Sequence, residues 1–195
     1  MLQRIIACEV FKDALAYLKV DRPDAPVAIS YLPSYLHLRP NDLKKRLLER
    51  ISRSRVDQER IICLYGQCFA GIDEALRPSC AVRVPGGHCF EILLGKKQFT
   101  PLIHAQPGTF FMEKELVRNF KTLCSDPLEL DDPQMREWYF EKYSQVVYIH
   151  QPLDPDVRDQ ARAVASFLRL PLKVAEADYT DLRSHLGKLL CPKSI

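Results

Sequence analysis

Seven cysteines are spread along the 195 residues, and three of them share one context. Cys8 stands in IIACEV, Cys68 in YGQCFAG and Cys89 in VPGGHCFEILLG. Each follows a short apolar run and precedes a segment that reads as a helix. In an open α/β sheet the C-terminal ends of parallel strands meet along one edge, where ligands bind. Three thiols at that edge could hold a metal ion or an iron–sulfur cluster and leave one coordination position open. Glycine precedes two of them: Gly66 before Cys68, and Gly86 and Gly87 before Cys89. Glycine permits sharp turns that let backbone approach a bound group closely. A cysteine at a helix N-terminus also has its thiolate favoured by free N–H groups and the helix dipole. No CxxC pair is present, so the three would be gathered by the fold rather than by a compact motif.

The other four cysteines lack that context. Cys63 lies inside the strand-like run RIICLY and reads as a small core residue. Cys80 opens CAVRV, and Cys124 and Cys191 sit in the late-helix contexts LCSDP and LLCPK. Structural roles are expected for these.

Further side chains could face a ligand at the same edge. His37 in YLHLRP follows a strand-like run, and His88 directly precedes Cys89. Arg39 suits bidentate binding of a carboxylate or phosphate. Tyr65, Glu91 and Lys96 complete the substrate-facing set, with Lys97 beside it. Glu91 could act as acid or base if buried, whereas a solvated helix glutamate is the ordinary alternative. There is no phosphate loop, GxGxxG or GxSxG, so a nucleotide enzyme or a serine hydrolase has no support.

Apolar runs at QRIIA, VAISYLP, RIICLYG and CAVRVP read as four strands with helical segments between them. Later, QVVYIHQ and LKVAEAD read as strands and DPDVRDQARAVASFLRL as an amphipathic helix. This alternation predicts an α/β fold, Rossmann-like, with a mostly parallel sheet and helices on both faces. A single domain over 1–195 is expected, with an insertion or subdomain over about 100–141, where the pattern is less regular.

The bulk composition narrows the classes. A net charge of +3 is too small to argue for nucleic acid. The basic run from Lys44 to Arg55 shares its helix with Asp42 and Glu49 and reads as a solvated face. No run approaches the roughly 18 apolar residues of a membrane span. Glu9, Lys12 and Asp13 interrupt any signal-peptide core, so a cytoplasmic protein without nucleic-acid or membrane partners is expected.

The segments IIACEV, LHLRP, LYGQC, GGHCFEILLG and PGTFF resemble, in that order, the family called domain of unknown function 1638. YGxC and the cysteine-to-LLG element are the most specific of them. The chain departs from the family pattern at His88, where the family carries an aspartate, and after PGTFF, where a tryptophan is missing. The resemblance implies cysteines shared at Cys8, Cys68 and Cys89. It also implies an association with corrinoid-dependent, one-carbon methyl-transfer systems.

Three readings follow. In the first, Cys8, Cys68 and Cys89 bind three irons of a [4Fe–4S] cluster, and the fourth iron binds a small anionic substrate oriented by His37 and Arg39. In the second they bind a mononuclear zinc ion with one open position. In the third the protein is a non-enzymatic accessory and the cysteines are buried and unligated.

Overall fold

The computed structural model describes residues 3–22, 27–55 and 60–190. The chain forms two compact units, Met1–Lys96 with Tyr179–Ile195, and Lys97–Asp178. The stretch 100–141 falls inside the second unit, which runs on to Asp178. Cys191 lies outside the described residues.

The first unit is built on β1 (Gln3–Cys8), β2 (Val27–Leu32), β3 (Arg60–Leu64) and β4 (Val82–Arg83), all parallel, in the order β2-β1-β3-β4. β1 and β3 are central, and their residues are buried almost without a break. That continuous apolar run is what a parallel strand covered on both faces requires. The connections carry α1 (Lys12–Tyr17), α2 (Pro40–Arg55) and α3 (Ile72–Leu76). Helix α2 buries Leu43, Leu47 and Ile51 along one stripe, a spacing of three to four residues. Lys44, Lys45, Arg46, Arg50 and Arg53 stay exposed. β4 leads through Pro85-Gly86-Gly87 to α4 (Cys89–Leu94).

From β1 the chain moves to β2 on one side, then crosses to β3 on the other. The order therefore reverses between β1 and β3, and a crevice opens at the C-terminal ends of strands on either side of such a switch point.

The second unit holds most of α5 (Lys96–Ala105), then β5 (Thr109–Met112), α6 (Lys114–Arg118), a π-helical turn at Lys121–Ser125, α7 (Pro133–Phe140), β6 (Gln145–His150), α8 (Arg158–Phe167) and β7 (Leu172–Glu176). Its sheet is also all parallel, in the order β5-β6-β7. Met112, Val117, Phe120, Leu130, Val146, Tyr148, Ala161 and Ala165 form its core. The loop after β6 is pinned by the buried Asp154 carboxylate, which accepts from the Gln151 amide at 3.1 Å and the Tyr148 hydroxyl at 3.4 Å. Lys114 Nζ lies 3.2 Å from the same group. The fold is thus α/β and wholly parallel, and its strands divide between two sheets rather than joining one. α9 (Thr180–Leu189) returns to the first unit and packs on α4. Among the described residues no helix is long and apolar enough to cross a membrane.

Candidate thiol site at the edge of the first sheet

Cys8 is the last residue of β1 and turns directly into a 3-10 turn at Glu9–Phe11. Cys68 lies four residues beyond the end of β3, in irregular backbone anchored by the buried Phe69. Cys89 is the first residue of α4, just beyond β4. Strands β1, β3 and β4 are neighbours, so the three thiols meet at one end of the sheet, beside the switch point. Sγ of Cys68 is 3.8 Å from Sγ of Cys89, and Cys8 hydrogen-bonds Cys89 as well. None of the six described cysteines is in a disulfide.

Backbone closes around these sulfurs. The Gly66 amide donates to Cys89 Sγ at 3.3 Å and also reaches Cys68. A Cβ on Gly66 would stand 2.6 Å from the Cys89 nitrogen and 2.8 Å from the His88 carbonyl carbon, so only glycine allows this approach. The Gln67 amide donates to the Gly87 carbonyl at 2.9 Å and joins the two cysteine-bearing loops.

The thiols differ in their affinity for protons. Hydrogen bonding to Cys89 holds Cys68 below the usual thiol range against the effect of burial, aided by the Gly66 amide and the charge of Arg83. Hydrogen bonds with Cys68 and Cys8, together with desolvation, push Cys89 well above that range. The two titrate as a pair, with Cys68 the more acidic member. This corrects the helix-terminus expectation in two ways. Cys68 does not start a helix, because α3 begins only at Ile72, after Gly71 in a left-handed conformation. Cys89 does start one, yet its hydrogen bonds with Cys68 and Cys8 and its burial raise rather than lower its thiol.

The other predicted residues occupy varied places. Tyr65 is 1 % exposed, and its hydroxyl has no hydrogen-bond partner among the described residues. Burial and then the surrounding Cys8, Cys63, Cys89 and Cys68 drive that hydroxyl far up, so it keeps its proton and remains a donor. His37 is exposed and donates from Nδ1 to the Ser34 carbonyl at 2.7 Å. His88 caps α4, with Nδ1 accepting from the Phe90 amide at 3.2 Å. Desolvation and then the charge of His37 lower the His88 pKa. Glu91 accepts from the Gly87 amide at 2.8 Å and so closes the turn before α4. Arg39 is exposed at the end of the Ser34–Leu38 turn. Lys96 is exposed, its amide held by Asp181 Oδ2 at 2.8 Å.

Cys63 is fully buried with its thiol raised to about 12 by burial, and Cys124 is buried in the second core. Cys80 is exposed and stands before β4 rather than in it.

Sequence reasoning missed Arg83. It lies in β4, forms a two-pronged ion pair with Asp73, and its charge is felt by both Cys68 and Cys89. The available sign was a lone arginine inside the apolar run CAVRV.

The donor chemistry suits a soft metal. Thiols gathered from three separate strand ends, a glycine that makes room for them, and the buried Tyr65 hydroxyl among them are what a ligand at this edge would use. Among the described residues, no group of three or more His, Cys, Asp or Glu stands already arranged to hold an ion.

The first unit is thus a parallel α/β layer of Rossmann-like order with a thiol cluster at its switch point. Residues 31–186 match the sequence model of the family described as protein of unknown function DUF1638, and the chain belongs to that family. No curated protein and no solved structure matches the chain.

Proposed function

We propose that Cys8, Cys68 and Cys89 are the ligands of a three-thiolate metal centre with one open position, and that the protein works through a small molecule bound there. The observation that carries this is the gathering of three distant cysteines beside the switch point, with two sulfurs 3.8 Å apart. Two thiolates at about 2.3 Å from one tetrahedral ion stand about 3.8 Å apart, so this separation favours mononuclear zinc. A [4Fe–4S] cluster on the same cysteines is the second reading. Its support is the donor set: among the described residues the thiols hydrogen-bonded to Cys89 are those of Cys68 and Cys8, and three thiolates would leave one iron open. That reading requires the sulfurs to spread, because each binds a different iron.

When bound, the ion would supply Lewis acidity at its open position. The chain supplies the rest. Its thiols would exchange their protons for the ion, which draws them from a hydrogen-bonded chain into a common set. The Tyr65 hydroxyl, protonated and unpartnered among the described residues, would donate to an acceptor atom of the bound molecule. His37 and His88 would meet such a molecule as it arrives. Its class is a small anion, and a corrinoid or methyltransferase system is the partner the family resemblance suggests.

Anaerobic purification with metal and sulfide analysis tests this. About one zinc per chain in a colourless protein is expected, and brown protein with iron and sulfide would select the second reading. Serine at Cys8, Cys68 or Cys89 should each lower metal content severely, whereas Cys80→Ser should leave it unchanged. A wild-type protein that takes up neither metal, even when both are supplied, ends the proposal.

A further inference from the structure

Arg83 directs its guanidinium into the junction between the two loops that carry Cys68 and Cys89, and its side chain is only 10 % exposed. Nε and Nη2 donate to the two oxygens of Asp73, at 2.7 Å and 3.0 Å. Nη1 donates to the carbonyls of Tyr65 at 3.1 Å, Val84 at 3.3 Å and Gly86 at 2.6 Å. Tyr65 opens the Cys68 loop and Asp73 stands in the helix that ends it. Val84 and Gly86 belong to the turn that leads to Cys89. One planar group therefore grips both ends of one loop and the start of the other.

We propose that Arg83 is a positioning residue for the thiol site: its fork locks the Cys68 loop against the Cys89 turn and so sets the spacing of the sulfurs. The inference rests on the three-thiol reading above, and Arg83 itself need not touch the ion or its ligand. Only arginine meets this requirement. Its donors are spread over three nitrogens in one plane, so it can serve a carboxylate on one side and carbonyls on the other. A lysine ammonium has the charge but places all its donors on one atom.

The test uses the full chain and two probes. One is cadmium, followed by its thiolate charge-transfer absorption. The other is phenylarsine oxide, which bridges closely spaced thiols, with the bridged cysteines identified by peptide mass. Arg83→Gln and Arg83→Lys should both weaken cadmium binding by about tenfold or more, the usual effect of removing a group that orients metal ligands. Both should also reduce bridging of Cys68 to Cys89, while alkylation of the exposed Cys80 stays at the wild-type rate. Asp73→Asn, at a half-exposed carboxylate, should produce a smaller loss of the same kind.

Wild-type behaviour of Arg83→Lys in both probes overturns the proposal, because charge alone would then suffice. If wild type ignores cadmium but its bridging depends on Arg83, the metal reading fails and the positioning role stands. If wild type binds cadmium and all three variants match it, the positioning role fails alone. Should Arg83→Gln not fold, Arg83→Lys and Asp73→Asn decide by the same two probes.

Discussion

A single methyl group on Gly66 is the smallest change that reaches the thiol site. The atoms it would strike are the Cys89 nitrogen, the His88 carbonyl carbon and the His88 Cα, all within 2.9 Å and all backbone. No side chain can swing aside, so the start of α4 must move and carry Cys89 with it. Gly66→Ala should therefore cost about 1–3 kcal/mol, as overpacking does elsewhere, and weaken metal binding by about tenfold or more. Gly87→Ala is the matched control. Its Cβ would meet only Glu91 Oε2, at an ordinary 3.5 Å. Zinc titration with a competing chelator measures both variants, and equal affinity in the two would show that the close approach at Gly66 does not matter. The three cysteines and this glycine were legible as a group because residue type and position after an apolar run both marked them. Arg83 was not, since its partners at Asp73, Tyr65 and Gly86 are set by tertiary contact. Glu91 was legible as a helix residue, but its bond to the Gly87 amide, which closes the turn before α4, was not.

Among the elements, β1 and β3 follow their apolar runs closely, because a doubly covered parallel strand writes its burial directly into sequence. β4 does not: CAVRVP shrinks to Val82–Arg83, where the left-handed Cys80 and then Pro85 cut the ladder short. The segment EKELVRNFKTL has a helix-like sequence, yet it divides into α6 and a π-helical turn. Its start shows how a cap is built. Glu113 is 6 % exposed, and its carboxylate accepts from the amides of Glu115 at 2.8 Å and Leu116 at 2.9 Å. Burial nonetheless outweighs those bonds and raises its pKa above the ordinary 4.5. The native state thus holds this proton more tightly than the unfolded chain does. Its contribution to stability is complete below 4.5 and is lost as pH rises through the raised folded value. Glu113→Gln keeps an oxygen acceptor without the charge, so denaturant melts of this variant should lack that decline. Glu113→Ala removes the acceptor and should cost about 1 kcal/mol. Parallel pH profiles for wild type and Glu113→Gln would sink this account.

At the scale of the whole molecule, strand-type runs alone could not say that β5, β6 and β7 form a sheet of their own. β6 is buried along its length much as β1 and β3 are, and the division rests on which neighbours the strands pair with. The order of the chain then has a consequence for the thiol site. The second unit is one continuous stretch, Lys97–Asp178, whereas the first needs the chain to return as α9. α9 buries Leu182 and Leu186 and packs on α4, whose first residue is Cys89. Asp181 also holds the Lys96 amide at 2.8 Å and crowds Gly95 at the end of α4. A chain ending at Asp178 should therefore lose metal binding although it keeps all three cysteines. It also keeps the complete second core and Trp138, the single tryptophan, which stacks edge-on with Tyr139 at 4.7 Å. Denaturant unfolding followed by Trp138 fluorescence should retain a cooperative transition in the shortened chain, while zinc titration shows no binding. Wild-type zinc affinity without α9 would mean that β1, β3 and the loops alone hold the thiols, and loss of the Trp138 transition would mean that the second core depends on the first.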